Sequence, residues 1–143
     1  MSHSHNSTLI HCVFTTKHRD ASLTPDIRPR IYEYIGGIVR HLGCTMLAIG
    51  GTADHIHLLL SLTPTVALAN AMMKIKANSA RWIHDTFPAH HTFAWQDGYG
   101  AFSIGVSQRV TTVAYINRQE QHHRRIDFAA EWNAILKKHG LDR

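Results

Sequence analysis

Cysteine is scarce in this sequence. Cys12 and Cys44 are the only two in 143 residues, and each lies in an apolar stretch far from the other. No disulfide framework and no cysteine-based zinc site is written here, and a reduced, buried pair is the plain reading. Long hydrophobic runs are missing as well. The leucine run from Leu58 to Leu60 falls far short of the ~20 apolar residues of a membrane span. The polar start, Met1 to Asn6, has no signal-peptide core, so a cytoplasmic location is expected. Low-complexity segments, repeats and interdomain linkers are also absent, and disorder is expected only at the chain ends. What remains, 44% hydrophobic and 17% charged residues, suits a single globular domain over residues 1–143. Acidic residues are the scarcer charge. Fifteen Lys and Arg against ten Asp and Glu give +5, and thirteen histidines add more as they protonate. That balance fits a polyanionic partner such as nucleic acid, although basic proteins without one are common.

The pattern of apolar residues orders the chain. Leu9 to Thr16 is β-branched and aromatic, as a strand is, and a polar loop from Lys17 to Ser22 follows it. Thr24 is positioned to cap a helix with Pro25 at its first position; Ile27, Ile31, Tyr34, Ile35, Ile38 and Leu42 recur at helical spacing, and Gly43 ends it. Cys44 to Gly50 and His55 to Leu62 read as two strands of a hairpin. A second amphipathic helix runs from Val66 to about Phe87 and closes at Pro88. The aromatic and glycine-rich loop Phe93 to Gly100 leads to a strand, Ala101 to Val106. Ser107 is placed to cap a third helix reaching through Tyr115 to His122, and Asp127 to His139 forms the last. The first six elements spell βαββαβ. The predicted fold is therefore α+β, a ferredoxin-like antiparallel sheet with helices on one face plus C-terminal helices. That restricts shape, not function.

Two groups of residues can carry chemistry. Side chains alternate along a strand, so His55 and His57 share one face while Ile56 points to the other. A His-x-His pair offers two ligands to a divalent metal, and it is equally compatible with a solvated polar sheet face. Farther along, Tyr115 and Gln119 are four residues apart and share a helical face, with His122 a turn beyond. Taken alone, a helical tyrosine is most often a packing residue.

Together these groups resemble a known family along almost the whole chain. IHCVFTTK in the first strand, DHIHLLLSL in the histidine strand, KIKANSARWI in the second helix, FAWQDGYGAFSIG before the last strand and VAYINRQEQHHR around the tyrosine occur in the order found in HUH-type single-strand transposases with one catalytic tyrosine. That family includes insertion-sequence transposases and the REP-associated tyrosine transposases, which act on repetitive extragenic palindromes. The resemblance implies that Tyr115 is the nucleophile and that His55, His57 and Gln119 hold a divalent metal, Mg2+ or Mn2+. His122 and Asp54 remain alternatives to Gln119. It further implies single-stranded DNA with hairpins as the partner, a 5′-phosphotyrosine intermediate, and a homodimer in which the tyrosine helix acts in trans. Relatives often continue past the point where this chain stops, so one of their C-terminal contacts is expected to be lacking.

Lys74, Lys76 and Arg81 on the second helix are candidate phosphate contacts, with an ordinary solvated helix face as the alternative. Trp95, Tyr99 and Phe102 are candidates to stack unpaired bases, or else to pack in the core. Arg124 and Arg125 either hold DNA or simply end a helix. Two other readings compete with the transposase. One is a non-catalytic single-strand or hairpin DNA-binding protein on the same fold; the other is a metal hydrolase of a small substrate that does not use Tyr115.

Overall fold

The computed structural model describes residues 4–142, so the ends expected to be disordered fall partly on residues 1–3 and 143, outside the described residues. Four strands, β1 (Leu9–Thr15), β2 (Thr45–Gly51), β3 (His55–Ser61) and β4 (Gly100–Ile104), form one sheet in the order β2-β3-β1-β4. Every pairing is antiparallel. The helices are α1 (Arg28–His41), α2 (Leu68–Thr86), α3 (Arg109–Asn117), α4 (Gln119–His122) and α5 (Phe128–Lys138). The ferredoxin-like α+β expectation holds, and among the described residues no helix is long and apolar enough to cross a membrane.

Strand alternation divides the side chains between two layers. Ile10, Cys12, Phe14, Ile56, Leu58 and Leu60 pack with Ile31, Ile35 and Val39 of α1 and Met72, Ile75 and Ile83 of α2. Leu9, Val13 and Leu59 face the other way. They pack under α3 through Ile116 and under α5 through Ile135, Phe128 and Trp132. A bulge at Leu47 changes the parity of β2, so Met46 and Ile49 both join the α1–α2 layer.

Several boundaries differ from expectation. Thr24 does not cap α1, because its hydroxyl is bonded to the Asp26 carboxylate; residues 25–27 form a turn and the helix opens at Arg28 with Pro29 next. The last strand stops at Ile104. Val106–Gln108 coil into a 3-10 turn, closed by the Gly105 amide donating to Gln108 Oε1 at 3.0 Å, and Ser107 makes no side-chain cap. The single helix expected through Tyr115 to His122 breaks at Arg118, whose φ of −108° and ψ of 20° separate α3 from α4.

Two glycines set how closely the C-terminal helices lie on the sheet. A Cβ on Gly50 would fall 2.3 Å from the Ile116 carbonyl oxygen of α3. One on Gly100 would fall 2.6 Å from the Trp132 ring of α5. Bare backbone at these points lets both helices approach the face that carries the histidines.

Candidate functional site

His55 and His57 project from β3 beneath α3, α4 and α5, and both are fully buried. Their rings are held from behind. His55 Nδ1 lies 2.8 Å from Asp54 Oδ1, and His57 Nδ1 lies 2.8 Å from Nε2 of His11. His11 reaches His57 diagonally across the β1–β3 ladder, in which His57 pairs with Val13. Each Nε2 therefore points inward, with an outer partner on the opposite ring nitrogen, the arrangement common to metal-binding histidines.

Gln119 meets them there. Its Oε1 is 3.1 Å from His55 Nε2, the residue is 1% exposed, and its amide Nε2 has no partner. Although the helix breaks at Arg118, Tyr115 and Gln119 still face the same histidine pair, and the Tyr115 ring centroid is 5.7 Å from that of His57. His55, His57, Tyr115 and Gln119 are thus brought together within one chain.

Glu131 stands at the centre, and sequence reasoning missed it. It is 2% exposed. His57 Nε2 and His123 Nε2 each donate to its Oε1 at 3.0 Å, His55 Nε2 is 3.5 Å from the same oxygen, and the Tyr115 hydroxyl donates to Oε2. His122 Nε2 lies 3.4 Å from Oε2. The sequence did carry a signal for it. Phe128, Glu131, Trp132 and Ile135 recur at the spacing of a buried helical stripe, and a carboxylate within such a stripe needs a partner. Asp54, weighed as a ligand, instead sits behind His55, and His122 stays at the rim, 29% exposed.

The electrostatics follow from burial and these contacts. Burial alone would lower the His55 pKa, but its bonds with Asp54, Glu131 and Gln119 push it up to about 9. Burial lowers His57 and takes His11 down to about 3, so His11 is neutral and can donate to or accept from His57. Glu131 is held far below the carboxylate range because, against the cost of burial, it accepts from His55, His57 and Tyr115. Burial and the Glu131 carboxylate raise Tyr115 above the usual phenol value, so it keeps its proton here.

The donor set suits a divalent cation. The His55 imidazole nitrogen meets the Gln119 amide oxygen at 3.1 Å and the His57 ring shares the same strand face, while the Gln119 amide nitrogen lacks a partner in the arrangement as it stands. Beside it, Tyr115 opens on a hollow of about 450 Å3 lined by Arg118, Gln121, His122, Arg124 and Arg125. Arg124 is thereby joined to the site.

The other expected DNA contacts are placed elsewhere. Lys74 and Arg81 are exposed on α2, across the sheet from Tyr115. The Lys76 amine is taken up by the Gln96 and Gly98 carbonyls at 2.7 and 2.6 Å, so it clamps a loop. Trp95 is corrected from stacking platform to core residue. It is 7% exposed, packs edge-on against Phe14 and Phe93, and donates to Ser79 Oγ at 3.0 Å. Phe102 is likewise buried, against Trp132 and His139. Of the three aromatics only Tyr99, 41% exposed, is open to solvent.

Residues 4–119, which hold His55, His57, Tyr115 and Gln119, match the family described as transposase IS200 like. The chain belongs to the IS200-like transposase family. It is 24% identical over 114 residues to the ISDra2 transposase TnpA of Deinococcus radiodurans, a match covering 76% of this chain and 81% of the relative. Two solved structures share the fold. One, a Deinococcus radiodurans protein described as a transposase, has a TM-score of 0.68 at 22% identity, covering 83% of this chain and 96% of that one. The other, a REP-associated tyrosine transposase bound to a REP hairpin, has a TM-score of 0.65 at 14% identity, covering 88% of this chain and 76% of that one. The transposase family match stops short of α5, so Glu131 lies outside it.

Proposed function

We propose that this transposase cuts and rejoins single-stranded DNA at hairpin-bearing ends through a covalent bond to Tyr115. The observation that carries this reading is the Tyr115 ring standing edge-on to His57, 5.7 Å between centroids, with its hydroxyl on the Glu131 carboxylate that also meets His55 and His57, next to a hollow lined by Arg118, Arg124 and Arg125. Those arginines would hold the phosphates flanking the scissile one, with exposed Lys74 and Arg81 left to contact DNA on the other face. The Tyr115 oxygen would form its bond to phosphorus as the phosphorus bond to the 3′-oxygen breaks. The tyrosine then holds the 5′-phosphate, and the departing strand ends in a 3′-hydroxyl that takes up a proton. Rejoining reverses the exchange: a 3′-hydroxyl attacks the phosphotyrosine and Tyr115 regains its proton. No nucleotide is spent, because the bond to Tyr115 conserves the phosphodiester energy.

His55, His57 and Gln119 would hold the metal, Mg2+ or Mn2+. Bound there, the cation would polarise the scissile phosphate and neutralise its charge. Asp54 and His11 keep the two imidazoles aimed at that point.

The test is direct. Labelled single-stranded DNA carrying a hairpin end is incubated with the protein and Mn2+, then denatured in SDS. A covalent adduct from the wild type and none from Tyr115→Phe is expected; no wild-type adduct, or an adduct that survives the substitution, rules the reading out.

A further inference from the structure

We propose that Glu131 is itself a ligand of the metal, joining His55, His57 and Gln119 through Oε1 while Oε2 holds the Tyr115 hydroxyl alongside. The inference rests on the reading above for the presence of a metal and adds a residue outside the region matched to the family.

Charge is the first argument. As metal ligands His55, once it has given up its proton, His57 and Gln119 are all neutral donors, and all three are buried. A divalent cation held by them alone would carry its full charge into a site that water barely reaches, which is costly. Among the described residues, Glu131 is the one buried acidic side chain, and it lies in this site.

Geometry is the second. Ligands about 2.1 Å from a cation and at right angles are roughly 3 Å apart. His55 Nε2 to Gln119 Oε1 is 3.1 Å, His57 Nε2 to Glu131 Oε1 is 3.0 Å, and His55 Nε2 to Glu131 Oε1 is 3.5 Å. The ligand atoms of His55, His57 and Glu131 all fall within 4.8 Å of one another. These spacings are the edges of a coordination shell with little rearrangement needed.

The third is rigidity. Asp127 Oδ1 accepts from the Ala130 amide at 2.8 Å and caps α5, while Phe128, Trp132 and Ile135 anchor the helix against Val13 and Phe102. The Glu131 carboxylate is therefore delivered by a fixed helix. Its two oxygens then do different work: Oε1 faces the imidazoles, and Oε2 accepts from Tyr115. The nucleophile is positioned by the same group that neutralises the cation. Two imidazoles with a carboxylate also favour Mn2+ over Mg2+ by ligand preference.

Mn2+ binding, measured by calorimetry and by the electron paramagnetic resonance of the bound ion, tests the assignment without DNA. Glu131→Gln should weaken Mn2+ binding at least about tenfold, as even the loss of an outer partner costs ~10–100-fold. Glu131→Asp, which keeps a carboxylate one methylene shorter, should fall between Gln and wild type. Asp85→Asn, on the far helix α2, should bind as the wild type does. Equal Mn2+ affinity and an unchanged resonance in Glu131→Gln, with the fold verified by circular dichroism, would overturn the proposal; if that variant does not fold, wild-type affinity together with a wild-type resonance in Glu131→Asp overturns it. Weakened binding in a protein that forms no DNA adduct would leave Glu131 as a ligand and remove the strand-transfer reading alone.

Discussion

At the scale of single residues, His11 shows how a supporting group leaves its mark on stability. Its ring is bonded to His57 inside the protein, and burial lowers its pKa from 6.5 to about 3. An unfolded His11 takes up a proton near pH 6.5 and the folded one only near 3, so within that window the unfolded chain binds more protons and acid favours unfolding. His55 has the opposite sign. Its folded pKa of about 9 exceeds the ordinary 6.5, so its contribution is complete below pH 6.5 and disappears as the pH rises through 9. The melting temperature of the metal-free protein is therefore expected to peak near pH 6.5 and fall on both sides. Thermal melts of His11→Asn should show a shallower acid limb than the wild type; an identical limb would assign the acid loss to other groups. Spacing put His55 with His57 on one strand face and Tyr115 with Gln119 on one helical face, and the family resemblance was needed to join the two pairs. His11 and His123 were not, since one reaches the site by a diagonal across two strands and the other by the turn between α4 and α5.

At the scale of elements, the glycines of the sheet set where the chemistry sits. Gly50→Ala would place a methyl group 2.3 Å from the Ile116 carbonyl, so α3 must lift from β2 and take Tyr115 with it. A loss of about 1–3 kcal/mol in denaturant unfolding is expected from such overpacking, together with slower adduct formation. If Gly50→Ala forms the adduct at the wild-type rate, close seating of α3 is not what places the tyrosine. The sequence identified the strands well, because Leu9–Thr15 and His55–Ser61 are short, largely apolar runs bounded by polar turn segments, as strands buried on both faces are. It did not identify the turns that interrupt helices. The break at Arg118 and the 3-10 turn at Val106–Gln108 depend on how α3 and α4 dock on β2 and β3, and no local propensity records that docking.

At the scale of the whole molecule, the histidine pair, the tyrosine and the central carboxylate all belong to one chain, where the family resemblance implied a tyrosine helix supplied by a second subunit. Mixing experiments separate the two assemblies. Tyr115→Phe and His57→Ala proteins, each expected to form no adduct alone, should stay inactive when combined if each chain completes its own site; recovery of adduct formation on mixing would show an exchanged helix. Positive charge is likewise divided between two faces, Arg118, Arg124 and Arg125 around the tyrosine and Lys74 and Arg81 beyond the sheet. In the proposed reaction, the burial of the histidine pair under α5 would also bear on the fate of a DNA strand joined to Tyr115. An ester of phosphate and phenol in an open cleft is exposed to hydrolysis, which would leave the strand cut. His55, His57 and Glu131 under that helix have almost no contact with solvent, whereas Tyr115 is half-buried and opens on the arginine-lined hollow; water would reach the ester from the hollow side, and a captured strand filling that hollow would make its 3′-hydroxyl the favoured acceptor. Helical cover on one side and a captured strand on the other would thus favour resealing over breakage.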